Sequence, residues 1–222
     1  MIARSEHVRP AVPIARGLAN WPFVGPTNYY GAMVIDLTAT LAFLGLGVRG
    51  FAGPPIVACG VVLLGFLSFG LLEYAVHRWI LHGPPSIARR VHRHHHAQPT
   101  ALVATPFFVA AIASIAIWHL VGLVCPAALA ALFVFGLYAG YNQFALFHHW
   151  VHHHRFEVGG GSHWRRLDRS HHIHHQRQSM NFGVSTTMWD SIFGTFQRDS
   201  LESSHRGRSP DRQRSQRVST QP

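Results

Sequence analysis

Histidine is the residue type whose number and spacing point to chemistry in this chain. The sequence holds 19 histidines in 222 residues, and most of them stand in four blocks. The blocks contain His77 and His82; His92, His95 and His96; the run from His148 to His154; and His171, His174 and His175. On an α-helix, residues three and four apart share a face, so His171, His174 and His175 can offer three imidazoles to one metal region, and His92, His95 and His96 repeat that spacing.

The blocks supply more imidazoles than one metal ion needs. A structural zinc takes about four ligands and a catalytic zinc about three, whereas ten imidazoles are drawn from the four blocks. Two metal ions therefore fit better, and neutral imidazole binds zinc, copper or iron. Glu73 precedes His77 by four residues and Asp168 precedes His171 by three. We expect each carboxylate to accept a hydrogen bond from the ring N–H of a ligand.

Between the blocks the chain is strongly apolar. It is 48% hydrophobic and 13% charged, against about 25% charged in an ordinary soluble domain. Apolar stretches near the length of about 20 residues that crosses a bilayer occur at 30–48, 56–72, 106–124 and 127–146. We predict an all-α, integral membrane four-helix bundle, capped by a histidine-rich helical dimetal site. The second helix should continue beyond the bilayer to His82.

Arginine sets the expected orientation. All 19 basic residues are arginine, and nearly all precede the first span, lie between the second and third spans, or follow the fourth. The positive-inside rule then places both termini and the metal site in the cytoplasm, and we expect a bacterial inner membrane protein. A compositional bias of the source genome explains the use of arginine without lysine as well as a nucleic-acid-binding surface would. Because no nucleic-acid motif is present, no nucleic acid partner is predicted.

Three segments are expected along the chain. Residues 1–28, interrupted by prolines, predict an irregular or interfacial N-terminal segment, and residues 29–196 predict the membrane domain. Residues 197–222 are rich in arginine and serine, which predicts a disordered tail. Within the domain, the glycines at 159–161 predict a flexible linker, and residues 164–177 a basic amphipathic helix on the bilayer surface.

The histidine blocks are followed by a further motif. It reads Asn181-Phe182-Gly183-Val184, then Trp189-Asp190-Ser191-Ile192-Phe193-Gly194-Thr195. From Glu73 to Phe196 the chain resembles the fatty acid hydroxylase and sterol desaturase superfamily, most closely its fatty acid 2-hydroxylase-like branch. The resemblance implies a membrane-bound non-haem di-iron centre that uses O2 to hydroxylate a C–H bond of a lipid, a fatty acyl chain above all. The implied iron ligands are His77, His82, His92, His95, His96, His148, His152, His171, His174 and His175. No catalytic residue beyond these ligands is predicted.

Several alternatives stay open at this stage. His149 and His153 have the same spacing as His148 and His152, so the third block has two registers, of which we take the earlier. Residues 1–28 are too few for the N-terminal cytochrome b5 domain common among fatty acid 2-hydroxylases. We therefore expect a separate electron donor, a ferredoxin or a cytochrome b5-like protein. The alternative activities are carotenoid hydroxylation or lipid desaturation on the same scaffold, and the alternative class is a non-enzymatic, histidine-rich protein of metal binding or transport.

Overall fold

The computed structural model describes residues 24–154 and 162–198 of the chain. Within these ranges the secondary structure is helical, and an isolated bridge between Val24 and Val103 is the only β pairing. A π-helical turn, Val76–Leu81, continues the second helix. The helices are α1 (Pro26–Gly50), α2 (Pro55–Ala75), α3 (Ile87–Ala97), α4 (Phe107–Gly122), α5 (Ala127–His153), α6 (Ser162–Gln176) and α7 (Met188–Ile192).

Three helices are long and apolar enough to cross a membrane. They are α1 with 25 residues, α2 together with its π-helical turn with 27, and α5 with 27. The predicted third span forms α4, which has only 16 residues. At 1.5 Å per residue α4 rises about 24 Å, less than the roughly 30 Å of a hydrocarbon core. The all-α class and three membrane-length helices are therefore found, and the four-helix membrane bundle stays a prediction.

The division of the chain into three segments stays a prediction, and the structure adds the residue at which α1 begins. Helix α1 begins at Pro26. Proline is favoured at this position because the N–H groups of the first helical turn have no intrahelical partner, so the missing N–H of proline costs nothing there. Helix α1 therefore includes residues 26–28, which were expected to belong to the irregular N-terminal segment. Residues 1–23, the glycines at 159–161 and residues 199–222 lie outside the described part of the chain.

Helix α5 forms the centre of the packing. Ala130, Ala131 and Val134 on this helix are fully buried. Close contact with α2 depends on glycine: a Cβ atom on Gly65 would lie 2.1 Å from the carbonyl oxygen of Phe133, a backbone atom of α5. Small residues at such crossings let two membrane helices approach until their backbones touch. The crossing therefore fixes how the histidines after α2 face those of α5.

The helices meet at one end of the bundle. The start of α1 lies beside the end of α5, where the Tyr29 hydroxyl is 2.9 Å from Nδ1 of His149. The start of α4 is there as well, because the backbone N–H of Phe107 donates to the side chain of Asn28 at 3.2 Å. All four histidine blocks lie on elements that reach this end. The opposite end carries the turns from α1 to α2 and from α4 to α5.

Candidate metal centre

Ten histidines gather into two groups of five at this end. In each group the potential ligand atoms all lie within 4.8 Å of one another. The first group is His77, His82, His92, His96 and His174; the second group is His95, His148, His152, His171 and His175. The structure thus brings together the same ten residues that the sequence singled out as candidate ligands.

Both helices with the spacing His-x-x-His-His contribute to both groups. On α3, His92 and His96 belong to the first group and His95 to the second; α6 reverses this, with His174 in the first group and the other two in the second. The i and i+4 positions share a face, while the residue between them points about 60° to 100° away. The groups are adjacent, because the rings of His96 and His175 stack with centroids 4.3 Å apart.

The π-helical turn explains the five-residue step of the first block. In a regular α-helix, residues five apart point about 140° away from each other. The turn at Val76–Leu81 instead closes an i to i+5 bond, from the N–H of His82 to the carbonyl of His77 at 3.1 Å. Both imidazoles therefore reach the first group. The regular helix expected up to His82 is corrected on this point.

The nitrogen atoms of the first group are spaced as in a metal site. Nε2 of His92 lies 3.0 Å from Nε2 of His77, of His82 and of His96. One N–H can satisfy only one of these three contacts, and facing lone pairs repel unless a cation lies between them. Two imidazole nitrogens bound to one metal at about 2.1 Å, with bonds at a right angle, are about 3.0 Å apart. A set of imidazoles alone suits zinc, copper or iron.

The second group has similar spacing. Nε2 of His171 lies 2.8 Å from Nε2 of His152 and 3.1 Å from that of His175. Nε2 of His148 lies 3.1 Å from that of His95. Every described residue of this group offers a ring nitrogen, and none offers a carboxylate. The two groups therefore present the same donor chemistry.

Backbone carbonyls orient two rings of the first group. Nδ1–H of His77 donates to the carbonyl of Phe182, and Nδ1–H of His174 donates to that of Met180 at 2.8 Å. With the proton on Nδ1, the Nε2 lone pair points into the group, which is the tautomer that a metal ligand needs.

The carboxylates that the sequence assigned to this task have other partners. Glu73 accepts hydrogen bonds from the N–H groups of Val184 and Ser185 and from the Ser185 hydroxyl. Asp168 lies 3.3 Å from His172, four residues along α6 and outside both groups. The observed partners are thus the backbone of a distant segment for Glu73 and an exposed histidine for Asp168, and a role of either carboxylate beside the ligands stays a prediction.

The segment from 180 to 197, which includes α7, is held by a second buried carboxylate. Asp190 accepts from the N–H groups of Phe182 and Gly183 at 2.8 and 2.7 Å and from the Thr195 hydroxyl at 2.7 Å. Asn181, with a left-handed φ of 54°, accepts from the N–H of Gln197, the first residue of the expected tail, at 2.7 Å. Sequence reasoning missed this role. The signal was present in the motif from Asn181 to Thr195, which served only to mark a resemblance.

Burial keeps these imidazoles neutral. It lowers the pKa of His82 and of His174 to about 4, and that of His96 to about 3. A nearby positive charge adds to the effect at His82, where the neighbour is Arg89. At pH 7 these rings are therefore unprotonated, as a metal ligand must be.

The remaining histidines of the blocks lie outside the groups. His149 and His153, the alternative register of the third block, stack on each other at 4.5 Å and face Tyr29. His94 is half-buried, while His154, His163 and His172 are exposed. The geometry therefore places the earlier register, and not the later one, beside the other histidines.

Helix α6 is more deeply buried than its charge pattern predicted. Leu167, Ser170, His171 and His174 are each 1% exposed or less, so one face of the helix is fully packed into the centre. The arginines at 165, 166 and 169 are on its exposed side. The amphipathic pattern was recognised correctly, but its inward face covers the histidine groups.

The described part of the chain is therefore all-helical, with three membrane-length helices and two groups of candidate metal ligands at one end. The fatty acid hydroxylase family model matches residues 62–195, which is more than half of the chain. The protein belongs to the fatty acid hydroxylase family.

Characterised relatives carry related names. The chain is 26% identical over 184 residues to the dihydroceramide fatty acyl 2-hydroxylase FAH2 of Arabidopsis thaliana, covering 79% of this chain and 76% of that protein. It is 31% identical over 159 residues to the fatty acid 2-hydroxylase of Rattus norvegicus, covering 64% of this chain but only 41% of the relative. The chain thus matches less than half of the rat protein's length.

A solved structure has the same fold. It is that of full-length scs7p, in which only the hydroxylase domain is visible. The TM-score is 0.62 at 21% sequence identity, over 77% of this chain and 67% of that one.

Proposed function

We propose that the protein is a membrane-bound non-haem di-iron oxygenase that hydroxylates a fatty acyl chain, next to its carbonyl carbon. The observation that carries this proposal is the convergence of ten imidazoles into two adjacent groups of five. Family membership and the names of the relatives support lipid hydroxylation at position 2 in preference to carotenoid hydroxylation or desaturation.

Each histidine group would hold one iron ion. When bound, the iron pair supplies the reduction of O2 and the oxidising power that an unactivated C–H bond requires. In the overall reaction one oxygen atom enters the C–H bond and the other leaves as water, with two electrons and two protons taken up. We propose that the electrons come from a separate ferredoxin or cytochrome b5-like donor, and that the site lies on the cytoplasmic side of a bacterial inner membrane.

The chain's own residues hold and shield this centre. His171 and His174 are almost fully buried, so water reaches these ligands poorly, and excluding water protects a strong oxidant from side reactions. Met180 and Phe182 fix the rings of His174 and His77 through their carbonyls. The nearby membrane-length helices keep the site close to acyl chains.

The test is metal content followed by product analysis. Protein purified in detergent after growth with iron should contain about two irons per chain, a number set by two separate ligand groups. His174→Ala should lower the content towards one iron, because it removes a donor from the first group only. His172→Ala is the matched control, since this exposed residue on the same helix lies outside both groups.

Iron-loaded protein with a reductant, a donor and a fatty acid under 18O2 should then yield a hydroxylated acid that carries one labelled oxygen atom. Substoichiometric metal that exchanges freely and does not respond to His174→Ala would contradict the proposal. That result would favour the alternative, a non-enzymatic protein that binds or transports metal ions.

A further inference from the structure

An open pocket of ≈ 590 Å³ lies beside the first histidine group. Its wall includes His82, a member of that group, and two polar residues from the loop after α6. The other lining residues are two arginines and two aromatic residues, Arg78, Arg89, Trp79 and Phe182. The pocket therefore joins positive charge, aromatic surface and a candidate iron ligand.

The two arginines of this pocket form no close ion pair among the described residues, although the charge of Arg78 acts at longer range on the buried Asp190. Between residues 24 and 154 and between 162 and 198, no carboxylate lies within 4 Å of the guanidinium group of Arg78 or Arg89. Arg78 donates to the Tyr74 hydroxyl at 2.6 Å and lies 5.7 Å from the ring centre of Trp79. These contacts fix its position without neutralising it, since a hydroxyl and an aromatic ring carry no net charge.

The surroundings of the pocket suit an amphiphile. Trp79 on its wall is 52% exposed, and the neighbouring residue in the chain, Ile80, is 49% exposed. Both lie on the last turn of a membrane-length helix, where aromatic residues commonly mark the membrane interface. A ligand with a charged head and an apolar tail could place its head on the arginines while its tail follows the apolar surface.

We propose that Arg78 and Arg89 bind the anionic headgroup of the acyl substrate, a carboxylate or a phosphate. This inference rests on the proposed function and extends it to the class of substrate. Because His82 lines the same pocket, a bound headgroup holds the carbons next to it close to the first histidine group. For a carboxylate headgroup, oxidation at position 2 then follows from the place of the headgroup, and the neutral amide of the same acyl chain binds less tightly.

The first arm of the test measures binding of palmitate and of palmitamide, its neutral isostere, to the iron-loaded protein in a non-ionic detergent. Wild-type protein should bind palmitate about tenfold more tightly, equivalent to about 1.4 kcal/mol. Arg89→Gln should remove this preference by weakening palmitate binding alone, and Arg89→Lys should keep part of it. Arg90→Gln is the matched control: it deletes the same charge one residue later, on an exposed side chain that does not line the pocket.

The second arm compares dipalmitoyl phosphatidylglycerol with dipalmitoylglycerol, which lacks the phosphate. A preference for palmitate in the first arm identifies a carboxylate headgroup, and a preference for phosphatidylglycerol alone identifies a phosphate. Either supports the proposal if Arg89→Gln abolishes it and Arg90→Gln does not. Equal binding of charged and neutral lipids by wild-type protein, or equal effects of the two variants, would overturn it.

The two proposals can fail separately. If the preference for charged lipids and its loss in Arg89→Gln persist while no lipid gains an oxygen atom, the headgroup site stands and the oxygenase proposal falls. If oxygen is added to palmitamide as efficiently as to palmitate, and Arg89→Gln changes neither rate, the oxygenase stands and the headgroup site falls.

Discussion

At the scale of single residues, Asp190 is a positioning residue for the candidate metal centre. Its carboxylate touches no histidine of either group, but it fixes the backbone at Phe182 and Gly183, and the Phe182 carbonyl in turn holds the ring of His77. An ionised acceptor of two N–H bonds stabilises a loop more than a neutral acceptor does.

We therefore predict that Asp190→Asn destabilises the segment around Phe182 and Gly183 and weakens iron binding by the first group. An amide can accept only through its oxygen, and its NH2 group would face a backbone N–H. The expected cost is about 1–3 kcal/mol of unfolding free energy, with iron per chain falling towards one. Thermal unfolding in detergent and elemental analysis measure the two effects.

Asp168→Asn is the control for this substitution, because the Asp168 carboxylate pairs with the exposed His172. It should leave the iron content unchanged. If Asp190→Asn lowered the unfolding temperature but kept all its iron, Asp190 would stabilise the fold without positioning a ligand.

At the scale of elements, the crossing of α2 and α5 sets the spacing of the two histidine groups. Helix α2 leads into His77 of the first group, and α5 carries His148 of the second. A Cβ atom on Gly136 would lie 2.1 Å from the carbonyl oxygen of Val62, so the two backbones cannot stay at this distance with any other residue there.

We predict that Gly136→Ala forces the helices apart and destabilises the protein by about 1–3 kcal/mol, the usual cost of overpacking. Gly60→Ala on α2 is the matched control, since its Cβ would meet no atom within 4 Å; it should be neutral or slightly stabilising, because alanine favours helix more than glycine. Thermal unfolding of both variants in the same detergent makes the comparison. Equal unfolding temperatures would show that the crossing adjusts without cost.

At the scale of the whole molecule, the sequence predicted what depends on local pattern. Apolar length located α1, α2 and α5. Helical spacing grouped the histidines of α3 and α6, and the family resemblance supplied the full set of ten residues that converge. The π-helical turn could not be read from the sequence, since regular and π-helical geometry differ by one residue per hydrogen-bonded turn. The partners of Glu73 and Asp190 could not be read either, because Val184 contacts Glu73 only once a loop 111 residues away has folded back.

The orientation of the molecule in the membrane stays a prediction. It can be tested by placing one reactive cysteine at each end of the helix bundle. The arginine distribution places the histidine end in the cytoplasm, so the turn between α4 and α5 should face the opposite side. Val124 in that turn is 87% exposed, and Thr100, between α3 and α4, is exposed at the histidine end. Each can be changed to cysteine in a protein whose two native cysteines, Cys59 and Cys125, are replaced by alanine.

We expect a membrane-impermeant thiol reagent to label Val124→Cys in intact cells and to label Thr100→Cys only after the membrane is opened. The reverse pattern would contradict the cytoplasmic location of the metal centre. The same experiment reports on α4, whose rise of about 24 Å is shorter than the hydrocarbon core. If Val124→Cys resists the reagent both before and after lysis but reacts in denaturant, the turn lies within the bilayer. Helix α4 would then be a partial span, and the membrane bundle would consist of three full crossings.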